Sequence, residues 1–246
     1  MNKIVFFIIT ALLLAPVKGK AQCEFSAGAD FVSSYVWRGV ATAGTSIQPS
    51  MDLSVGGFSI GAWGSVDMAG QGYKEVDLAA GYTIGGFYVG LTDYWWNGEE
   101  AFDYFRFKKD ESSHLLEASL GYEFDFGLGF SWNTMIAGAG DQYIDGESTK
   151  RAFSTYAEVG YSFAVKEVEL TAAVGASPWN SNVLYTGYER DEQLYGTSGF
   201  AVTNISLAAS KDVSITDGFS PSLFGQLAFN PAKEDVFLVF GISFKF

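Results

Sequence analysis

Apolar and polar residues alternate with a period of two along most of the chain, in segments of about ten residues. In residues 58–68, for example, Phe58, Ile60 and Met68 share one face, whereas Trp63 and Asp67 share the other. This pattern predicts β-strands with two chemically different faces. Twelve strands are predicted, near residues 25–38, 46–55, 58–68, 75–84, 87–96, 116–124, 128–137, 153–163, 167–177, 201–211, 220–230 and 235–246.

The connections between these strands alternate in length. Tight connections are predicted at 56–57, 85–86, 125–127, 164–166 and 212–219, and longer ones at 39–45, 69–74, 97–113, 138–151, 178–200 and 231–234. Short turns that alternate with long loops are typical of up-and-down membrane barrels, whose strand number is even in bacterial single-chain examples. The sequence therefore predicts an all-β fold, an antiparallel transmembrane β-barrel of about twelve strands. Both termini are expected on the periplasmic side.

The composition of the second face distinguishes a membrane barrel from a soluble β-sandwich or a lipocalin-like barrel. That face carries mainly Gly, Ser, Thr and carboxylates, which are poor material for a dry core but suit a hydrated lumen. The aliphatic face is then expected to point into lipid. Aromatic residues near the strand ends, including Tyr35 and Trp37 on the first strand, are expected to point outward in an interfacial girdle.

The first residues are predicted to be an export signal rather than part of the fold. Lys3 precedes an apolar run over residues 4–17, and the run is followed by Gly19-Lys20-Ala21. This pattern is typical of a secretory signal peptide spanning residues 1–21, with the barrel domain over 22–246. Cys23 could be lipidated after cleavage, but Gln22 replaces the small residue expected there, so a cysteine without a special role is preferred.

The charge balance excludes one class of function. The formal net charge is −13, and removing the three lysines of the signal peptide makes it −16. A nucleic-acid-binding protein needs a basic surface to neutralise phosphates, so nucleic acid is not expected as a partner. The sequence contains no motif for a metal or cofactor, and none is predicted.

Strand parity assigns a group of charged residues to the interior. The expected lumen residues are Arg38, Asp30, Asp52, Asp67, Glu75, Asp77, Glu117 and Glu158, with Trp63, Tyr88, Tyr94 and Tyr156 as lumen aromatics. So many carboxylates require water or cations around them, and a lining of one sign attracts counter-ions. These residues predict a narrow, passive, cation-preferring pore for small hydrophilic solutes. Arg38, placed near the outer end of the first strand, is either a constriction residue or a charge pair that joins strands.

His114 raises the alternative of an outer-membrane lipid hydrolase. By parity it points outward at the start of a strand, where Asp93 could orient its imidazole and Ser112 or Ser113 lies beside it. A histidine at the rim of a barrel also fits a simple polar contact with lipid headgroups, which is the preferred interpretation. No enzymatic activity is therefore predicted.

Four segments of the first hundred residues resemble one protein family. They are FVSSYVWRGV at 31–40, QPSMDLS at 48–54, GFSIGAWGS at 57–65 and KEVDLAAGYTIGGFYVGLTDYWW at 74–96. They resemble the TorF-like porins, and the resemblance implies an outer-membrane barrel without an assigned substrate.

Three functions follow from the sequence as hypotheses: a passive pore, a non-conducting structural or scaffold barrel, and the lipid hydrolase. The expected partners are outer-membrane lipid and lipopolysaccharide, small solutes or cations, and the outer-membrane assembly machinery. The terminal Phe246 is expected to be the signal for that machinery, because the last strand ends on an outward aromatic residue.

Overall fold

The computed structural model describes residues 23–68, 70, 72–97, 104–107, 112–145, 148–181 and 199–246. The predicted signal peptide lies outside the described residues. The described chain forms sixteen strands: β1 (Cys23–Val32), β2 (Tyr35–Trp37), β3 (Val40–Ala43), β4 (Ser46–Val55), β5 (Phe58–Asp67), β6 (Lys74–Ile84), β7 (Phe87–Asn97), β8 (His114–Glu123), β9 (Leu128–Gly138), β10 (Gln142–Asp145), β11 (Ser148–Arg151), β12 (Thr155–Val165), β13 (Val168–Ser177), β14 (Ala201–Asp212), β15 (Ser222–Asn230) and β16 (Asp235–Lys245). A single 3₁₀ turn (Ala139–Asp141) follows β9.

Twelve of these strands form one closed antiparallel barrel, which confirms the predicted fold. Its order is β1-β16-β15-β14-β13-β12-β9-β8-β7-β6-β5-β4, so each strand pairs with its neighbours along the chain. The first and last strands close the barrel, in a register that runs from Gly28 opposite Lys245 to Val32 opposite Gly241. Closure leaves no exposed strand edge, which a lipid environment requires.

The two ends of the barrel differ in the length of their connections. Short turns after β4, β6, β8 and β12 lie at one end of the barrel, here called the turn end. The start of β1 and the end of β16 lie at the same end. Gly56 and Gly85 have φ values of 63° and 58° in these turns. Tight hairpins favour positive φ, which glycine adopts without strain. The longer connections lie at the opposite end, here called the loop end.

The outside of the barrel is apolar. On β16, Val236, Leu238 and Phe240 are 61%, 60% and 58% exposed, and outward residues of the other strands follow the same pattern. A continuous apolar band of this kind far exceeds the patches of a few hundred Å² that soluble monomers expose. Lipid is therefore the solvent that suits this surface. No helix among the described residues is long and apolar enough to cross a membrane, a finding that does not bear on crossing by strands.

One prediction about the first strand is wrong. The strand ends at Val32 rather than near Arg38, and β2 and β3 form a separate two-stranded hairpin. This segment, residues 33–45, is here called the inner hairpin because its side chains contact interior residues of several barrel strands. Tyr35 and Trp37 consequently lie in the lumen and not in the expected outer aromatic girdle.

The inner hairpin turns at Arg38 and Gly39. Trp37 pairs with Val40, so the loop contains only these two residues, and their φ values are 52° and 80°. Two successive residues with positive φ are the signature of the type I′ turn, which suits the twist of a hairpin. Alternation continues through β2, so parity alone could not distinguish a longer first strand from a strand that folds back.

Candidate functional site

Arg38 links the tip of the inner hairpin to the far side of the barrel. Its Nη1 donates to Glu117 Oε2 over 2.7 Å, and its Nη2 donates to Glu117 Oε1 over 2.9 Å. Glu117 is only 1% exposed, and Tyr94 Oη also donates to its Oε1, over 3.0 Å. Arg38 therefore lies inside the lumen, where it reaches Glu117 from an inserted segment and not from the end of the first barrel strand.

Aromatic rings hold the guanidinium of Arg38 in place. Its Cζ lies 4.4 Å from the ring centre of Trp37 and 4.8 Å from that of Tyr156. Cation–π contacts at these distances add to a bidentate ion pair and restrict the side chain to one position. The tip is thus held both by charge and by packing.

The backbone at the tip also contacts the wall next to the barrel closure. The carbonyl of Gly39 accepts a hydrogen bond of 2.9 Å from Asn230 Nδ2, and a Cβ at Gly39 would collide with the carbonyl oxygen of Thr203. At the base of the hairpin, Ser33 N–H donates to Phe240 O over 2.8 Å. The inner hairpin therefore crosses the lumen, with contacts on β8 at one side and on β14, β15 and β16 at the other.

A cluster of aromatic rings fills the lumen on one side of the inner hairpin. Tyr35 packs on Trp63 with ring centres 5.5 Å apart, and Trp37 lies 5.6 Å from Tyr94 and 5.8 Å from Trp96. Three members of this cluster, Tyr35, Trp37 and Trp96, were not among the predicted lumen aromatics. The alternation of Tyr35 and Trp37 continues that of β1, so the sequence pattern carries no signal that would have placed these two residues on a separate hairpin.

Two acidic residues lie behind this cluster. Glu75 is 2% exposed and accepts hydrogen bonds from Tyr73 Oη, over 2.8 Å, and from Trp96 Nε1. Asp77 is 8% exposed, and its side chain faces Glu75. The carboxyl group of Glu75 is thus solvated by aromatic donors rather than by bulk water, whereas Oδ1 of Asp77 has no hydrogen-bond partner among the described residues.

The remaining predicted lumen residues lie on the interior face of their strands. Asp67 is 8% exposed, and Asp52 Oδ1 lies over Gly61 on the neighbouring strand. Asp30, on β1, pairs with Gln48 of β4. The structure therefore brings Arg38, Glu117, Glu75 and Asp77 around the inner hairpin, whereas Asp52 lies closer to the turn end.

Tyr88 and Tyr156 occupy different parts of the interior. Tyr88 covers Gly81 and Gly90, where any side chain would collide with its ring. Tyr156 is 2% exposed and donates to Glu158, whose carboxylate also accepts from Asn204 Nδ2 over 3.2 Å. The ring of Tyr88 therefore fills space against the wall, and Tyr156 supports the tip of the inner hairpin.

Two cavities lie between the inner hairpin and the turn end. One measures about 390 Å³ and is lined by Arg38, Tyr156 and Asn204, among others. The other measures about 530 Å³, reaches the turns at 85–86 and 127, and shares Ser131 and Glu158 with the first. The half of the lumen between the inner hairpin and the turn end therefore contains open space, lined by both polar and apolar groups.

His114 lies on the outside of the rim, where its imidazole joins a loop to the wall. Its Nδ1 lies 2.9 Å from Asp93 Oδ2, as expected, but its Nε2 lies 2.6 Å from the carbonyl oxygen of Tyr104. Ser112 Oγ accepts from the backbone N–H of His114 instead of approaching the ring. The nitrogen that would activate a serine in a hydrolase is thus occupied by a backbone acceptor.

The start of the first barrel strand and the end of the last one lie near each other. Phe246 is 80% exposed, and its N–H donates to Ala27 O over 2.8 Å. Cys23 is exposed and pairs with Val55 at the turn end. The aromatic side chain of Phe246 therefore projects from the outer surface at the barrel closure.

A family profile matches residues 17–216, and its description is "Bacterial protein of unknown function (Gcw_chp)". The chain belongs to this family. The match covers the inner hairpin and the barrel strands through β14, so both are contained in the family's common region. The family description gives no activity, and the narrower resemblance to TorF-like porins stays a prediction. No curated protein matches the chain in sequence.

Several solved structures are similar in architecture. A porin refined at 1.8 Å resolution shares 17% identity and a TM-score of 0.39, and the match covers 83% of this chain and 63% of that porin. The KdgM porin shares 6% identity and a TM-score of 0.45, over 92% of this chain and 99% of the porin. An outer-membrane channel from Pseudomonas putida F1 shares 10% identity and a TM-score of 0.47, over 94% and 98%.

This chain spans less than two thirds of the first of these porins. At such low identity the likenesses concern architecture alone, and the fold assignment rests on the strand pairing of this chain. That fold is a closed antiparallel β-barrel of twelve strands with an apolar outer surface.

Proposed function

We propose that this protein is a narrow outer-membrane channel for small hydrophilic solutes, in which the inner hairpin forms the constriction. The observation that carries the proposal is the hairpin of residues 33–45, fixed across the lumen by Arg38 and Glu117. A barrel that served only as an anchor would have no need of open cavities of about 390 and 530 Å³ beneath such an element. The termini then face the periplasm and the long loops face lipopolysaccharide.

The charges around the constriction favour cations. Arg38 is matched by Glu117, so Glu123 and Glu158 remain as acidic groups that line the cavities below the inner hairpin. An acidic lining with low-dielectric walls raises the local concentration of cations. Planar-bilayer recordings in a KCl gradient measure this preference directly, and a reversal potential that indicates anion selectivity would contradict it.

Removing the inner hairpin tests the constriction. Val32 pairs with Ser46, so a four-residue glycine-serine turn can replace residues 33–45 without disturbing β1 or β4. The expected result is a severalfold rise in single-channel conductance and faster uptake of larger sugars in liposome-swelling assays. The matched control replaces residues 214–219, in the exposed connection at the turn end, and should conduct as wild type does.

A second candidate function is a non-conducting structural barrel, favoured by the contacts that the inner hairpin makes on both sides of the lumen. The same measurements separate the two. Wild-type protein without any conductance, combined with conductance after removal of the hairpin, would favour the closed barrel. If neither protein conducts, the channel proposal is wrong.

A further inference from the structure

Residues 104–107 lie against the outer wall of the barrel at the loop end. Tyr104 packs on Trp95 with ring centres 5.8 Å apart, and Phe107 stacks on the imidazole of His114 over 4.8 Å. Trp95 and His114 are opposite each other on β7 and β8, and they are only 1% and 9% exposed. This four-residue stretch, here called the rim segment, therefore packs on the outward face of both strands near the rim.

The imidazole of His114 contacts a hydrogen-bond acceptor at each of its two nitrogens. Nδ1 lies 3.0 and 2.9 Å from the two carboxylate oxygens of Asp93. Nε2 lies 2.6 Å from the carbonyl oxygen of Tyr104. An ionised carboxylate and a carbonyl oxygen can only accept, so both ring nitrogens have to donate. Only the positively charged form of histidine carries a proton on each nitrogen, and the geometry thus indicates an imidazolium.

The surroundings of the ring suit this charged form. The side chains of His114 and Asp93 are 10% and 30% exposed, so the pair is partly shielded from water. Burial alone favours a neutral histidine, whereas an adjacent carboxylate favours a charged one. The ring of Phe107 is inclined by only 27° to the imidazole, which places an aromatic face against the positive charge.

Asp93 is the carboxylate in direct contact with the imidazole. The elements around β8 and the rim segment carry further ionisable residues: Asp77, Tyr104, Arg106, Glu117 and Asp141. Glu117 is bound to Arg38 in the lumen, and Asp141 accepts from the backbone N–H groups of residues 153 and 154. Asp77 lies on the interior face of β6, on the other side of the wall. Of these side-chain types, only the imidazole ordinarily changes its charge between about pH 5 and 8.

We propose that Asp93, His114 and the carbonyl group of Tyr104 form a pH-sensitive contact that holds the rim segment on the barrel wall. In mildly acidic solution the imidazolium donates to both partners. A neutral imidazole has one N–H and one lone pair, so either the carboxylate or the carbonyl oxygen then lacks its hydrogen bond. The attachment is therefore complete at lower pH and weakens as the pH rises and His114 loses its proton. This inference goes beyond the channel function and is tested without measuring conductance.

A first experiment measures the protonation state of the ring. His114 is the only histidine in the sequence, so labelling with nitrogen-15 histidine gives the two ring signals of this residue alone. The full barrel is purified in detergent without a histidine tag. At about pH 6, both ring nitrogens are expected to carry a proton, and Asp93→Asn is expected to leave only one. A wild-type ring with one protonated nitrogen at about pH 6 overturns the proposal.

A second experiment measures the attachment by the rate of tryptic cleavage after Arg106, which is exposed on the rim segment. Wild type is compared with His114→Leu at the same pH, because the activity of trypsin is then equal for both proteins. At about pH 6, His114→Leu should be cut at least about tenfold faster, which corresponds to the loss of a hydrogen bond from a charged donor. At about pH 8.5, the two rates should be nearly equal.

The matched control is Ser113→Ala, beside the histidine and exposed, which should be cut as wild type is at both pH values. Asp93→Asn is the second variant if His114→Leu does not fold, and it should be cut rapidly already at about pH 6. A ratio of His114→Leu to wild type that is the same at both pH values overturns the pH dependence. Rapid cleavage of wild type at both values overturns the attachment itself.

Discussion

Arg38 and Glu117 are joined by two hydrogen bonds of 2.7 and 2.9 Å, although they lie 79 positions apart in the chain and on different sides of the barrel interior. The side chains are 12% and 2% exposed, so water screens the pair only weakly. Such a pair is stable only when geometry and further hydrogen bonds compensate for lost hydration, as Tyr94 does here. It joins the tip of the inner hairpin to β8.

Replacing Arg38 tests the role of this pair. Arg38→Ala leaves Glu117 buried without its cationic partner, which costs about 3–5 kcal/mol. The inner hairpin should loosen, with higher single-channel conductance and stronger cation selectivity. Lys211→Ala is the control, because it removes one positive charge from an exposed pair with Glu167 of 2.9 Å at the turn end.

The double variant Arg38→Ala/Glu117→Ala shows which effects come from the lost link between the hairpin and β8 and which come from the unpaired charge of Glu117. It should keep the higher conductance but lose the increase in cation selectivity. If Arg38→Ala and wild type conduct identically, the ion pair does not set the constriction.

Gly39 offers a steric test of the same element. Gly39→Val is expected to push the tip away from β14, because φ is 80° and a Cβ would collide with the Thr203 carbonyl. The tryptophan fluorescence should shift to the red as Trp37 leaves the aromatic cluster, and conductance should rise severalfold. Gly218→Val is the control, since nothing lies within 4 Å of a Cβ there. An unshifted spectrum in Gly39→Val would contradict the position of the tip.

His114 is expected to hold the rim loop rather than perform catalysis. His114→Leu removes the contacts to Asp93 and to Tyr104 O, so the segment around Arg106 should be cut faster by trypsin, by a factor of several. Ser113→Ala, beside it and exposed, should be cut at the wild-type rate. Phospholipase activity in wild type that disappears in His114→Leu would reverse this interpretation.

Phe246 is expected to matter for assembly through its side chain. Phe246→Ala keeps the backbone hydrogen bonds to Ala27 but removes the exposed terminal ring. We expect severalfold less folded, heat-modifiable barrel in the outer membrane of a Gram-negative host. The control is Phe25→Ala, another outward ring, 68% exposed. Equal losses for both variants would show that general hydrophobicity, and not the terminal position, determines assembly.

The sequence predicted the barrel well because each strand carries its own alternating pattern. The segment 46–55 was predicted with the bounds of β4, and most others differ by one or two residues. Parity also assigned Glu117 and Tyr156 to the interior, since the side-chain period of a strand is two. The bounds of a strand and the face on which each side chain lies depend on residues close in sequence, so hydrophobic alternation predicts them.

The inner hairpin could not be predicted in the same way. Tyr35 and Trp37 alternate with the polar residues beside them whether the strand continues or folds back. What decides between these conformations is the pair of positive φ values at Arg38 and Gly39 and the contacts with Glu117 and Asn230. Those partners are distant in sequence, and a one-dimensional pattern does not contain them.

The position of the inner hairpin next to the barrel closure constrains the order of assembly. It follows β1 directly, and Ser33 at its base exchanges hydrogen bonds with Phe240 of β16. Pairing of the first and last strands has the largest sequence separation in the fold and so carries the largest loop-closure entropy. Because Ser33 bonds to β16, the contacts at the base of the inner hairpin can form only when the first and last strands have come together.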